Sequence, residues 1–330
     1  MPIRVALHAT VAGCIGLFAL APARATPSCT ASATVSCFTE TGSIASFTVP
    51  VAGTYEFLAY GGQGGNNTSG APSIGGSGAE LGGSFVLQAG DVLRIAAGAV
   101  GGSTASNGAG GGGGSFVVLT SGPDDPSATL IPLLIAAGGG GASQGGITYN
   151  GAGLGGSATS VAAAGQNSSL NGAAGTGGNG GAGSGAPNGG AGGAGLLSNG
   201  TANSSGNATG GKDYANGLSG GTTITSGGAS GGFGGGGAGS NNAAGGGGGY
   251  NGGGGGYNGG GGGGGGSYFN TAIGTKNLAE AISGTNTGNG LVIVTEDTST
   301  STPEPASLTL LGTGLAVLGS LRRRRRSPAV

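Results

Sequence analysis

Chemistry at neutral pH usually recruits a histidine, a cysteine or a pair of carboxylates, and this 330-residue sequence offers few of them. Its single histidine, His8, stands near the N-terminus, just ahead of an apolar run. Removal of that segment on export would leave no histidine. Ser-His-Asp and Cys-His catalysis, and histidine metal sites, would then be excluded. Cys29 and Cys37 are separated by seven residues. In an oxidising compartment a small disulfide loop is the expectation, since a free thiolate would have no base to activate it. Asp124 and Asp125, between Pro123 and Pro126, could hold extracellular Ca²⁺ or form a solvated turn, and the turn is expected. The nearest phosphate-loop match runs from Gly206 to Gly211 and Lys212, but Asp213 replaces the Ser or Thr that would hold Mg²⁺. With 90 glycines, Gly-x-Gly-x-x-Gly recurs by chance and carries no weight. The remaining carboxylates are scattered. No enzyme, cofactor or metal site is expected.

The charges sit at the ends. Of ten basic residues, Arg322, Arg323, Arg324, Arg325 and Arg326 form one run, while Arg4 and Arg24 lie in the first 25 positions. Between Thr26 and Thr302 three basic residues face ten acidic ones, a net of −7. A body this acidic has no electrostatic footprint for nucleic acid. High glycine with only 6 % charged residues matches neither charge-rich disorder nor, without a Gly-X-Y register, collagen.

Both ends read as addresses. Arg4 gives a weak positive region, residues 11–20 are apolar, and Ala23-Arg24-Ala25 has the small-x-small pattern that signal peptidase cuts. Residues 1–25 are therefore expected to be a signal peptide, with the mature chain starting at Thr26. The alternative, a lipoprotein signal at Val11-Ala12-Gly13-Cys14, is disfavoured by the apolar run that continues past Cys14. At the other end Pro303, Glu304 and Pro305 precede an apolar stretch, 306–321, and then the arginines. As a helix that stretch rises roughly 24 Å, and snorkelling arginines would extend it toward a transmembrane span. The arginines would stay cytoplasmic by the positive-inside rule, leaving the body outside. A plain single-span anchor is the simpler alternative.

Pro-Glu-Pro-Ala-Ser, a Leu/Gly-rich span and a terminal arginine block closely resemble the PEP-CTERM sorting tail of exported proteins in exopolysaccharide-producing Gram-negative bacteria. The resemblance implies processing near Pro303–Pro305 by an exosortase, with a transient inner-membrane intermediate and delivery to the cell surface or extracellular matrix.

The body must be built from short strands. Runs at 46–49, 54–60, 84–88, 92–96, 116–120, 130–137 and 291–295 carry strand-like composition between Gly, Asn and Ser. In 54–60 Tyr55, Phe57 and Ala59 alternate with Thr54, Glu56 and Leu58, the period of a half-buried strand. Pro50-Val51-Ala52-Gly53 reads as a hairpin-like connection and Ala89-Gly90-Asp91 as a tight turn. Outside the two terminal apolar runs, only 278–282 suggests a helical turn. About seven short strands imply an all-β fold, a sandwich of two packed sheets. Residues 138–266 form an insertion in which 58 of 129 residues are glycine. It reads as a flexible linker, a disordered tract, or a bundle of polyglycine II helices whose neighbours satisfy each other's backbone groups.

Phe47-Thr48-Val49-Pro50-Val51-Ala52-Gly53-Thr54-Tyr55-Glu56, followed by Ala59-Tyr60-Gly61-Gly62-Gln63-Gly64-Gly65, is similar to the opening of the glycine-rich domain of the anaplastic lymphoma kinase and leukocyte tyrosine kinase ectodomains. Later pieces follow in order to Gly290-Leu291-Val292-Ile293-Val294, although Tyr60 stands where that family usually has Trp. The resemblance implies a jelly-roll-like β-sandwich with an inserted polyglycine II bundle over 44–296; receptor function does not carry over. Residues 26–43 are then an N-terminal segment and 297–302 a linker before the tail at 303–326. A structural surface or matrix protein associated with exopolysaccharide is the leading functional expectation. A carbohydrate-binding adhesin using Phe233, Tyr250 and Tyr257 as stacking platforms is the alternative, and ice binding a distant third.

Overall fold

A computed structural model describes residues 27–298, except 70–72, 121–129, 145–150 and 168. Among these residues there are ten strands and no helix: β1 (Val35–Thr39), β2 (Ala45–Thr48), β3 (Gly53–Tyr60), β4 (Gly78–Leu87), β5 (Val92–Ala96), β6 (Ser115–Thr120), β7 (Leu130–Ala136), β8 (Tyr268–Phe269), β9 (Gly274–Asn286) and β10 (Leu291–Glu296). They form two five-stranded sheets, ordered β1-β10-β3-β4-β9 and β2-β5-β6-β7-β8. All pairings are antiparallel. The all-β expectation holds, and the two-sheet arrangement fits a β-sandwich.

The alternation in β3 does what its period demands. Tyr55, Phe57 and Ala59 are buried against the opposite sheet. There Phe57 meets Phe85 edge-on at 5.7 Å, and Phe85 stacks on Phe269 at 4.9 Å. Gly83 leaves the space that the Phe269 ring fills. Tyr55 reaches out of the core to donate its hydroxyl proton to the Val51 carbonyl, 2.8 Å away.

Two local readings are corrected, the hairpin at 50–53 and the helical turn at 278–282. Residues 50–53 join β2 to β3, which lie in different sheets, so the connection crosses the sandwich. The expected tight turn at 89–91 is present, closed by Asp91 N donating to Gln88 O at 3.1 Å with Gly90 at φ +90°, and it links β4 and β5 across the sandwich as well. The two crossings lie side by side: Val49 N donates to Asp91 O and Gly90 N to Val49 O. Residues 278–282 lie inside β9 and make no helical turn. A register irregularity opposite Glu80–Gly82 pushes them outward, leaving Leu278 80 % exposed. β1, outside the seven expected runs, is the edge strand that carries Cys37, disulfide-bonded to Cys29. Replacing both cysteines with serine is expected to cost roughly 2–3 kcal/mol from lost loop constraint, read as a lower urea midpoint.

Every glycine-rich connection leaves the sandwich at one end. The segments 61–77, 97–114 and 137–267 all depart from the ends of strands near Tyr60, Ala96 and Ala136, and Gly138 sits among them. Within them the backbone hydrogen bonds cycle with a period of three. Gly245, Gly246 and Gly247 donate to Ala109, Ala191 and Gly263, at 3.0, 2.9 and 2.9 Å. Gly248, Gly249 and Tyr250 then donate to Gly112, Ala194 and Gly266, each three residues further along the same neighbour. Residues 138–143 repeat the cycle with 245–248, 62–65 and 151–154. A Cβ on Gly246 would run into the Gly253 carbonyl, and one on Gly247 into the Gly138 carbonyl. The layer therefore extends beyond the expected insertion 138–266 and recruits two further connections.

Candidate functional site

The second sheet is covered on both faces. β6 alternates Val117 toward the sandwich core with Phe116 and Val118 toward the insertion, which explains its unbroken apolar run. Phe116, Val118 and Ile135 meet Tyr214 and Leu218, with Phe233, Tyr250 and Tyr268 packed around them. Burial pushes the Tyr214 hydroxyl above its usual range, an effect opposed by the Arg94 guanidinium beside it. Tyr250 stacks on Tyr268 at 4.6 Å. Burial raises the Tyr268 hydroxyl as well, with Tyr250 adding to the shift.

This geometry changes the reading of the three candidate sugar platforms. Phe233, Tyr250 and Tyr257 are all half-buried, and two of them dock the insertion on the sheet. The structure does not bring the three together as an open face. Asp213, in the phosphate-loop match, is buried and caps a turn, accepting from Asn216 N at 2.9 Å and Asn216 Nδ2 at 2.8 Å. The sequence carries the Asn-x-Ser/Thr glycosylation pattern at, among others, Asn167 and Asn203; there Asn167 donates its amide to Asn258 O, and Asn203 to the carbonyls of Pro187 and Gly189. The nitrogen that a glycan would need is in use at both.

One cleft was not legible beforehand. On the outer face of the first sheet, Glu56, Gly83, Ser84, Thr275, Lys276, Asn277 and Glu280 line a space of about 230 Å³. Glu56, Ser84 and Thr275 sit opposite one another across β3, β4 and β9. The irregularity in β9 lays Glu280 over Gly82, where any side chain would collide with it. A glycine pair inside a strand was the one local sign of such close approach. Lys276 Nζ is directed to Ala158 O at 3.3 Å and ties β9 to the insertion. The cleft brings two carboxylates, Glu56 and Glu280, to one face, and no cluster of three or more His, Cys, Asp or Glu suited to a metal occurs among the described residues.

Burial raises the Glu280 carboxyl above the usual range, the Glu56 charge adds to this, and a hydrogen bond from Asn277 opposes it. The folded chain thus disfavours ionised Glu280 relative to the unfolded chain. That cost is absent below the ordinary glutamate range of about 4.3 and complete above the raised value. Glu280→Gln is expected to raise the melting temperature at neutral pH, with the gain vanishing on acidification below about pH 4.

Ala23, Ala25 and Thr26 at the expected cleavage site lie outside the described residues. So do Pro303, Glu304 and Pro305, the span 306–321 and the arginines 322–326. Among the described residues no helix is long and apolar enough to cross a membrane. No curated protein matches the chain. Residues 301–326 match the PEP-CTERM protein-sorting motif, the mark of a bacterial protein exported and sorted to the cell surface with an exosortase as its processing partner.

Proposed function

We propose that this chain is a non-enzymatic structural protein of the bacterial cell surface or extracellular matrix, delivered by its tail and associated with exopolysaccharide. The observation that carries the reading is the sorting motif directly behind an all-β body. Signal peptidase removes residues 1–25, and the apolar stretch holds an inner-membrane intermediate until the exosortase acts. The packed segments are polyglycine II helices, a reading supported by the three-residue cycle of their hydrogen bonds. That cycle also favours the resemblance to the glycine-rich kinase-ectodomain module, at the level of fold alone. A layer in which backbone meets backbone leaves few sites for protease or ligand, which suits a passive role. The adhesin alternative loses its basis in Phe233 and Tyr250, whose rings serve the docking cluster.

The test is a deletion of residues 303–305 in the host. Wild-type protein is expected in surface and medium fractions, and the deletion product in the inner membrane with its arginines retained. Equal distribution of the two would refute the sorting role of the tail.

A further inference from the structure

The turns of the glycine layer alternate between two ends. Gly138, where the chain leaves β7, donates to Gly248, and Gly141, one turn further out, to Gly245. Tyr250 consequently lies at the sandwich end, with Tyr214, Leu218 and Phe233. The opposite end includes the turns at 66–69, 103–107, 203–206, 222–226 and 240–242, joined through bonds such as Thr104 Oγ1 to Gly227 O and Asn107 Nδ2 to Ser226 O. They are rich in Asn, Ser and Thr, with Ile224 the exposed large apolar exception. Thr68, Ser106, Ser204, Ser226 and Asn242 are exposed there.

Charge divides along the same axis. The three glycine-rich connections contain only Lys212 and Asp213, a net of zero, and both lie in the turn at the sandwich end. The rest of the body between 26 and 302 carries two basic and nine acidic residues, a net of −7. The far end has no charge at all. It is also the pole opposite the chain's exit. β10 runs away from the glycine layer, and Glu296 N and Asp297 N are held by Thr34 O and Thr54 O at 2.8 and 2.9 Å. From Asp297 to Pro303 the chain spans at most about 20 Å. A body held by its processed tail therefore keeps the acidic sandwich nearer the attachment than the glycine layer, and the uncharged turns outward.

We infer that the exposed turns at the far end of the glycine layer are the contact surface of this protein, and that they fit an uncharged, hydroxyl-rich polymer. Amides and hydroxyls offer both donors and acceptors to polymer hydroxyls, whereas a polyanion would meet repulsion from the acidic sandwich. The outward placement rests on the sorting reading above; the contact itself does not.

The experiment uses purified mature protein bearing one added cysteine, Ser204→Cys at the far end or Val51→Cys at the opposite pole, where Val51 is 56 % exposed. Each is coupled to a bulky maleimide polymer and sedimented with an insoluble uncharged glucan or with a calcium-gelled polyuronate, at low and high salt. The expected result is salt-insensitive binding to the glucan, weakened about tenfold by the adduct at 204 and unchanged by that at 51. Absence of glucan binding, equal loss with both adducts, or salt-sensitive binding confined to the polyuronate would overturn the inference. Because the protein is purified, each of those failures leaves the sorting reading standing.

Discussion

Gly246→Ala is expected to break the glycine layer, whereas Gly185→Ala in the same insertion should leave it intact. The alanine methyl at 246 would fall on the Gly253 carbonyl, backbone against backbone, with no flexible side chain to move aside. Gly246 also donates to Ala191 and accepts from Gly237, so relaxation at this point disturbs two further neighbours. Overpacking a rigid interior with one methyl is expected to cost about 3 kcal/mol here, the upper end of the usual range, because backbone must move. In a body of this size that lowers the melting temperature by about 6–12 °C. At Gly185 the nearest atoms to a Cβ lie 3.8 Å away. Alanine there should be neutral or stabilising by up to about 1 kcal/mol through the unfolded chain. Paired melting curves read the contrast. A flexible linker would tolerate both substitutions equally.

Phe116→Ala should have a comparable effect for a different reason. Phe116 is fully buried between β6 and the insertion, 6.2 Å from the Tyr214 ring. Truncation leaves a cavity beside Val118, Ile135 and Leu218 and is expected to cost about 3–5 kcal/mol. The insertion should loosen first, so limited proteolysis is expected to cut near 214–218 before the sandwich melts. Val161→Ala, at a 72 % exposed position, is the control and should fall within about 0.5 kcal/mol of wild type. Unchanged proteolysis in Phe116→Ala would mean that the insertion does not depend on this docking face.

The sandwich was largely legible because its strands keep a period of two or bury both faces. β3 announces itself through Tyr55, Phe57 and Ala59. β9 does not: Leu278, Ala279, Glu280 and Ala281 are good helix formers, and the irregularity opposite Glu80–Gly82 breaks any alternation. Tertiary pairing with β4 overrides that local preference. The connection at 50–53 is short enough for either a hairpin or a crossing, and only the sheet assignment distinguishes them. Glycine hides its own packing, since a residue with no side chain shows no face and no periodicity. That is why 61–65 and 110–114 could not be assigned to the layer in advance. The docking of Phe233 and Tyr250 on the sheet was not legible, because nothing local says which turns face it. The cleft under Glu280 joins three strands distant in the chain, and its carboxylates are 224 positions apart. The tail was legible as a sorting motif, matched over residues 301–326, because a linear signal's order, composition and charge do not depend on folding.

The most direct measurement is intact-mass and C-terminal mapping of the protein from its native host, resolved by cell fraction. The account predicts a chain that begins near Thr26, ends near Pro303–Pro305 and lies outside the inner membrane. A chain still carrying Arg322–Arg326 and retained in the inner membrane would contradict it, and would make the tail a plain anchor.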